Sequence, residues 1–333
     1  METLKIKYVN FSSMRRFGVE IEVGHEVKKK DVHLAIKSSS QHDVYTSRYG
    51  LSSNNRYWHV KDDATCGIKG RKGPKGVEIA SFVGHGNQDI DHISQMAGNL
   101  SQIGCKTNDN CGLHIHAEAV DFTVEQCSIL VAYWVKIEKI LSMALPIRRN
   151  KSEYCKFTFP HDASFDFKLC RETKYSADLF WQIISPKNLG FFDNEDRRFN
   201  LNLVNFARSI RDQSSHRKTI ELRWPEGSLD PIDIGCWTRL FLSFVENCKF
   251  MIMPNNLEDL SLQQTLCCVG LENLQSFTIL SRNMHETKTW FLERIIKHES
   301  DSVEFYNDEK IRNTVIEAKE ILNKMWSPLR KYA

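Results

Sequence analysis

Residues 17–23 read Phe17-Gly18-Val19-Glu20-Ile21-Glu22-Val23. Phe17, Val19, Ile21 and Val23 alternate with Gly18, Glu20 and Glu22. Successive side chains of a strand point to opposite faces, so this period of two predicts a strand with one apolar face and one carboxylate face. Glu20 and Glu22 then point the same way, roughly 6–7 Å apart along the chain. Such one-sided alternation belongs to an antiparallel sheet covered on one face, because strands buried on both faces read as continuous apolar runs.

Other short stretches repeat the device. Tyr57–Val60 and Gly76–Ala80 read as strands, the second carrying Glu78. Gly112–His116 places His114 and His116 on one face, and Thr219–Trp224 places Glu221 and Arg223 on one face. Arg198–Leu203 reads as a further strand. Between them the period changes. Ile90, Ile93, Ala97, Leu100 and Ile103 mark one helical face. Thr123 and Gln126 form a capping box for a helix to about Leu145. Asp230-Pro231 starts another helix, with Asp at the cap and Pro in the first turn. The spacing of Ile311, Val315, Ala318, Leu322 and Met325 predicts a packed C-terminal helix and is compatible with a short coiled-coil dimer. Residues 24–56, with Lys28 to Lys30 and Ser- and Asn-rich patches, read as a long loop or inserted flap. Residues 67–76 read as a basic turn. Strands interleaved with helices give an α+β fold with a mostly antiparallel sheet and flanking helices. Residues 1–250 are expected to form the core, and 251–333 a helical C-terminal extension packed on it.

Composition excludes several classes. With 45 Lys plus Arg against 42 Asp plus Glu, the net charge of +3 implies no large anionic partner. The apolar run Ile129–Val135 falls far short of the ~20 residues of a membrane span. Glu2, Lys5 and Lys7 are followed by no apolar stretch, so no signal peptide is expected. The ten cysteines have irregular spacing and no CxxC pair, which predicts thiols in a reducing, cytoplasmic setting and no tetrahedral thiolate zinc signature.

Any single Glu or His pair on a strand reads equally well as a solvated sheet face. Together, Glu20, Glu22, Glu78, His114, His116 and Glu221 would repel one another on a shared face unless cations compensated. Carboxylates with an occasional imidazole suit Mg²⁺ or Mn²⁺. An arginine beside them, Arg223, suits a phosphoryl group in transfer. The sequence has no P-loop, no GxGxxG after a strand, no kinase signature and no HExxH.

In order along the chain stand Phe-Gly-Val-Glu-Ile-Glu, then Trp58 to Thr65 with Asp62 and Asp63, then Gly-Val-Glu-Ile-Ala-Ser. These are followed by Cys-Gly-Leu-His-Ile-His, Arg-Phe-Asn-Leu-Asn and Thr-Ile-Glu-Leu-Arg. This series resembles the amidoligase family over about residues 15–245. That family lies within the glutamine synthetase-like carboxylate–amine ligases, which include the glutamate–cysteine ligases. The resemblance implies a glutamine synthetase-like curved, mostly antiparallel sheet whose concave face holds ATP and two or three Mg²⁺ ions. It implies joining of a carboxylate to an amine through an acyl phosphate. The substrates would be a small molecule, peptide or protein bearing a carboxylate, with an amine co-substrate; a homo-oligomer is compatible with this.

Carried onto this chain, Glu20, Glu22, Glu78, His116 and Glu221 match metal ligands. His114, His116, Arg198, Asn202 and Arg223 match nucleotide contacts, and Asp63, Arg198 and Arg223 match catalytic positions. Arg197 competes with Arg198, and Asp62 with Asp63. The family's Asp-x-Ser is here Asp63-Ala-Thr65, and its Ser-Pro is here Ser81-Phe82. Two other readings use the same residues: a metal-dependent hydrolase on His114 and His116, or an amidase with Cys111 as nucleophile. A noncatalytic nucleic-acid binder would instead use Lys28 to Lys30 and residues 69–75.

Overall fold

The computed structural model describes residues 15–24, 27–47, 56–67, 76–158, 198–211, 218–272 and 279–330. The opening stretch forms β1 (Arg16–Val23), whose apolar residues are buried in the alternation its sequence predicts. It lies inside an open, mixed sheet with β2 (Val44–Ser47), β3 (Trp58–Asp63), β4 (Gly76–Ala80), β5 (Gly84–His85), β6 (Leu113–Glu118), β7 (Leu201–Asn202) and β8 (Thr219–Leu222). The strand order is β2-β3-β4-β1-β6-β8-β7, with β5 pairing the start of β1. The named pairs are antiparallel except β2 with β3, which run parallel.

Register carries the alternation across the sheet. Val19 opposes Ile115, and Ile21 lies between Ile79 and Leu113, so the apolar residues share one face. Helices cover that face. Of these, α1 (Lys29–Ser39) and α2 (Gly86–Gln102) pack on the sheet, α3 (Val124–Ser142) and the short α4 (Ile147–Asn150) follow in the chain, and α5 (Val204–Arg211) and α6 (Pro231–Cys248) pack on the sheet again. The capping box of Thr123 with Gln126 is formed at the start of α3, and the Asp230 side chain accepts from the Ile232 N–H at the start of α6. Trp134 of α3 packs with Trp224, Phe241 and Phe244 in the centre of the core. The buried Arg15, at the foot of β1, donates to Glu246 of α6 and to Asp121.

Within the expected loop 24–56, the described residues 27–47 form regular structure. Within them α1 buries Val32 and Ile36 completely, and β2 adds a parallel edge strand. Only two apolar positions of a lysine-rich helix face the core, too few for the periodicity to register. The strand expected over Arg198–Leu203 is reduced to β7, although the Asn200 carbonyl still accepts from Arg223 N–H at 2.7 Å and its N–H bonds the Lys156 carbonyl at 2.8 Å. Asn200 donates to Glu138 Oε1 at 2.5 Å and accepts from Thr158 Oγ1 at 2.6 Å.

The chain ends in α7 (Leu262–Cys268), α8 (Ile279–Lys297), α9 (Glu299–Tyr306) and α10 (Glu309–Arg330). Ile311, Val315 and Ala318 of α10 are fully buried within this one chain. The apolar stripe that would serve a coiled-coil dimer is therefore already covered. Among the described residues no helix is long and apolar enough to cross a membrane.

Candidate functional site

The face of the sheet opposite the helices carries the ionisable residues, and register brings them together. Gly18 of β1 opposes His116 of β6, which opposes Glu221 of β8, which opposes Asn202 of β7. One step along, Glu20 lies between Ala80 and His114. One step further, Glu22 opposes Glu78, which opposes Lys61. Gly18 and Ala80 are the small members of these rows, so they leave the neighbouring long side chains room.

His114 Nδ1 lies 3.3 Å from Glu20 Oε2 and 3.7 Å from Glu221 Oε1, and its Nε2 lies 3.7 Å from Glu22 Oε1. His116 Nε2 lies 3.3 Å from Glu20 Oε1 and 3.8 Å from Glu221 Oε1, yet is not aligned for a hydrogen bond and is buried without one among the described residues. Arg223 Nη1 donates to Glu221 Oε1 at 2.6 Å, and Asn202 Nδ2 donates to Glu221 Oε2 at 2.6 Å. Arg223 Nε has no hydrogen-bond partner among the described residues. An orphaned ring nitrogen and an orphaned guanidinium nitrogen flank one carboxylate.

The charges of this group are set by one another. Burial would lower the basicity of His116, but Glu221 and Glu20 outweigh it and raise it to about 9. Burial likewise penalises the Glu20 carboxylate; the charges of His116 and His114 overcome this and hold it well below the usual range. Glu221 is lowered too, where Arg223 and His116 together outweigh burial. Glu78 goes the other way, to about 7, because burial and the charge of Glu20 outweigh its ion pair with Lys61, 2.7 Å away.

One oxygen or ring nitrogen each of Glu20, His116 and Glu221 lies within 4.8 Å of the others. Two carboxylates and an imidazole make a hard donor set, fit for Mg²⁺ or Mn²⁺. The unpartnered His116 Nε2 belongs to that set, which is the structural sign that a cation suits it.

Glu22 and Asp63 lie beside this group. Gly112 N–H donates to Glu22 Oε2 at 2.6 Å, and Asp63 Oδ1 accepts from both N and Oγ1 of Thr65 at 2.7 Å. Thr65 thus keeps the hydroxyl contact that a serine would make. Asp62 points elsewhere, to Lys29 of α1 at 2.6 Å. Arg198 lies with its guanidinium carbon 5.9 Å from the centroid of the Tyr154 ring and is not a member of the pairs above. Arg197 and the basic stretch 68–75 lie outside the described residues.

Two participants had no signal of their own in the sequence, Lys61 and Arg149, and Gly112 was read only as the start of a strand. Arg149 donates to the carbonyls of Trp224 and Arg223, at 3.1 and 2.9 Å, and so fixes the backbone that carries the site arginine. A Cβ on Gly112 would stand 2.9 Å from His114 Nε2 and 3.4 Å from both Glu22 Oε2 and Arg149 Nη2.

A family described as "putative amidoligase enzyme" matches residues 13–245, from the foot of β1 into α6, and the chain belongs to it. Its description is of an enzyme that forms amide bonds. A comparison with curated proteins finds no match.

Proposed function

We propose that this enzyme is an ATP-dependent carboxylate–amine ligase working through an acyl phosphate. The observation that carries the reading is the convergence of Glu20, His116, Glu221 and Arg223 on one sheet face. A free carboxylate is a poor electrophile, because its leaving group would be at the level of oxide or hydroxide. Transfer of the ATP γ-phosphoryl group to that carboxylate supplies a leaving group. The amine then adds to the acyl carbon and phosphate departs.

A divalent cation bound by Glu20, His116 and Glu221 would neutralise the triphosphate, and Glu22 and Glu78 extend the acidic face beside it. Arg223 is held by Glu221 with Nε left over, and this donor would meet the charge of the moving phosphoryl group. Asn202 orients Glu221 by bonding its other oxygen. His114 sits among three carboxylates, with its ring nitrogens 3.3–3.7 Å from Glu20, Glu22 and Glu221, and so spaces them on the active face. The substrates are a carboxylic acid, free or on a peptide or protein, and an amine, in a cytoplasmic setting.

The test is calorimetry of a non-hydrolysable ATP analogue on wild type and Glu221→Gln, with and without Mg²⁺. Binding should require Mg²⁺ and weaken at least tenfold in the variant, with the circular dichroism spectrum unchanged. Equal affinity in all four conditions would remove the cluster from nucleotide binding.

A further inference from the structure

The row of the sheet that carries Glu20 continues outward past the acidic group. In register it runs Tyr45 of β2, His59 of β3, Ala80 of β4, Glu20 of β1 and His114 of β6. These side chains therefore share the face that bears the carboxylates. The chain neighbours of His59, Trp58 and Val60, are fully buried on the other face. The rings of Tyr45 and His59 stack, with centroids 6.0 Å apart and an interplanar angle of 21°, and Tyr57 closes against Tyr45 at 5.0 Å. His59 is buried, whereas Tyr45 is 54% exposed. An aromatic step thus stands at the outer end of the active face, with one ring open to solvent.

Between this step and the cation cluster the side chains are small. Ala80 separates His59 from Glu20, and Gly18 lies two residues before Glu20 on β1, opposite His116. A Cβ built on Gly18 would meet no atom within 4 Å. The floor between His116 and the rings is therefore low and open.

We propose that Tyr45, backed by His59 and Tyr57, stacks on the base of the nucleotide whose phosphates meet the cation cluster. This site rests on the ligase reading and extends it to the base. Strand spacing sets the distance. Neighbouring strands lie about 4.8 Å apart, so across the sheet His59 stands about 10 Å from Glu20 and Tyr45 about 14 Å. An extended nucleoside triphosphate spans a distance of this order from its terminal phosphate to its base. Every base presents a flat π surface, and an aromatic ring partners it without needing a hydrogen bond. The ribose would lie over Ala80 and Gly18, where the floor is low. Tyr45 belongs to β2, so the segment 24–56 takes part in holding the nucleotide.

The experiment is calorimetry on the full-length protein with Mg²⁺ and two probes. One is a non-hydrolysable ATP analogue; the other is inorganic tripolyphosphate, which has the phosphates without the base. Tyr45→Ala should weaken binding of the analogue about tenfold, the usual effect of removing one base–aromatic stack, and leave tripolyphosphate binding unchanged. Tyr45→Phe keeps the ring and should keep the wild-type affinity. Because Tyr45 is more than half exposed, its replacement leaves the core intact. An unchanged affinity for the analogue in Tyr45→Ala overturns the proposal. So does an equal loss for both probes, which would report a disturbed sheet face, or a loss in Tyr45→Phe as large as in Tyr45→Ala. Each of these results leaves the ligase reading standing, because the wild type still binds the analogue with Mg²⁺. A wild type that binds neither probe overturns that reading, and the base site with it.

Discussion

Replacing Gly112 by Ala adds one methyl group between His114, Glu22 and Arg149. Its carbon would stand 2.9 Å from His114 Nε2, well inside the 3.5–4.0 Å at which such atoms attract. His114 cannot simply rotate away, because Nδ1 is 3.3 Å from Glu20 Oε2 and Nε2 is 3.7 Å from Glu22 Oε1. Overpacking of this kind costs about 1–3 kcal/mol. Gly112 is not among the positive-φ glycines, so alanine is tolerated by the backbone and returns about 0.4–1 kcal/mol by restricting the unfolded chain. The net cost is about 1–2 kcal/mol, a fall of a few degrees in Tm for a chain of this size. The effect on the site should be larger than the effect on the fold, because the displaced atoms are the ligand-facing ones. Thermal melting paired with calorimetry of a Mg²⁺–nucleotide complex reads both. The expected result is a small drop in Tm with at least a tenfold loss of affinity. A folded Gly112→Ala protein with wild-type affinity would show that His114 and Glu22 do not shape the binding site.

Arg223→Lys keeps the charge but loses the planar fork, so nucleotide binding should change little while turnover falls by about 10²–10³; undiminished turnover would take the guanidinium out of the reaction. The cation-free protein should also lose stability in mild alkali. His116 has a folded-state value of about 9 against about 6.5 unfolded, so its contribution is fully present below about pH 6.5 and lost as pH climbs through 9. That contribution is at most about 3 kcal/mol. Cation affinity should move the opposite way, standing on the order of 100-fold below its plateau at pH 7 because the metal must displace that proton. Melting and Mn²⁺ binding between pH 6 and 10 check both slopes, and parallel rather than opposed trends would exclude His116 as a ligand.

The sequence made the strand faces legible because their alternation is local. Glu20, Glu22, Glu78, His114, His116 and Glu221 each announce a polar face within a few residues of chain. It also marked helix starts such as Thr123 and Asp230, whose caps are local chemistry. What escaped depends on contacts between distant segments. Helix α1 was hidden because Val32 and Ile36 alone anchor it among lysines. The buried side-chain bonds of Asn200 to Glu138 and Thr158 have no local sign in the sequence. Arg149, in a short helix, gives no sign that it supports the backbone of Arg223 and Trp224. Spacing rules report ligands that are neighbours in sequence, whereas a sheet assembles them from separate strands.

The most direct measurement is product mass. The protein is incubated with ATP, Mg²⁺ and pools of candidate carboxylic acids and amines, with ADP release followed in parallel. A ligase should form a condensation product whose mass equals that of one acid plus one amine less water, with one ADP for each bond and none without ATP. Amide hydrolysis that proceeds without ATP, or condensation that leaves ATP intact, would contradict the acyl-phosphate account.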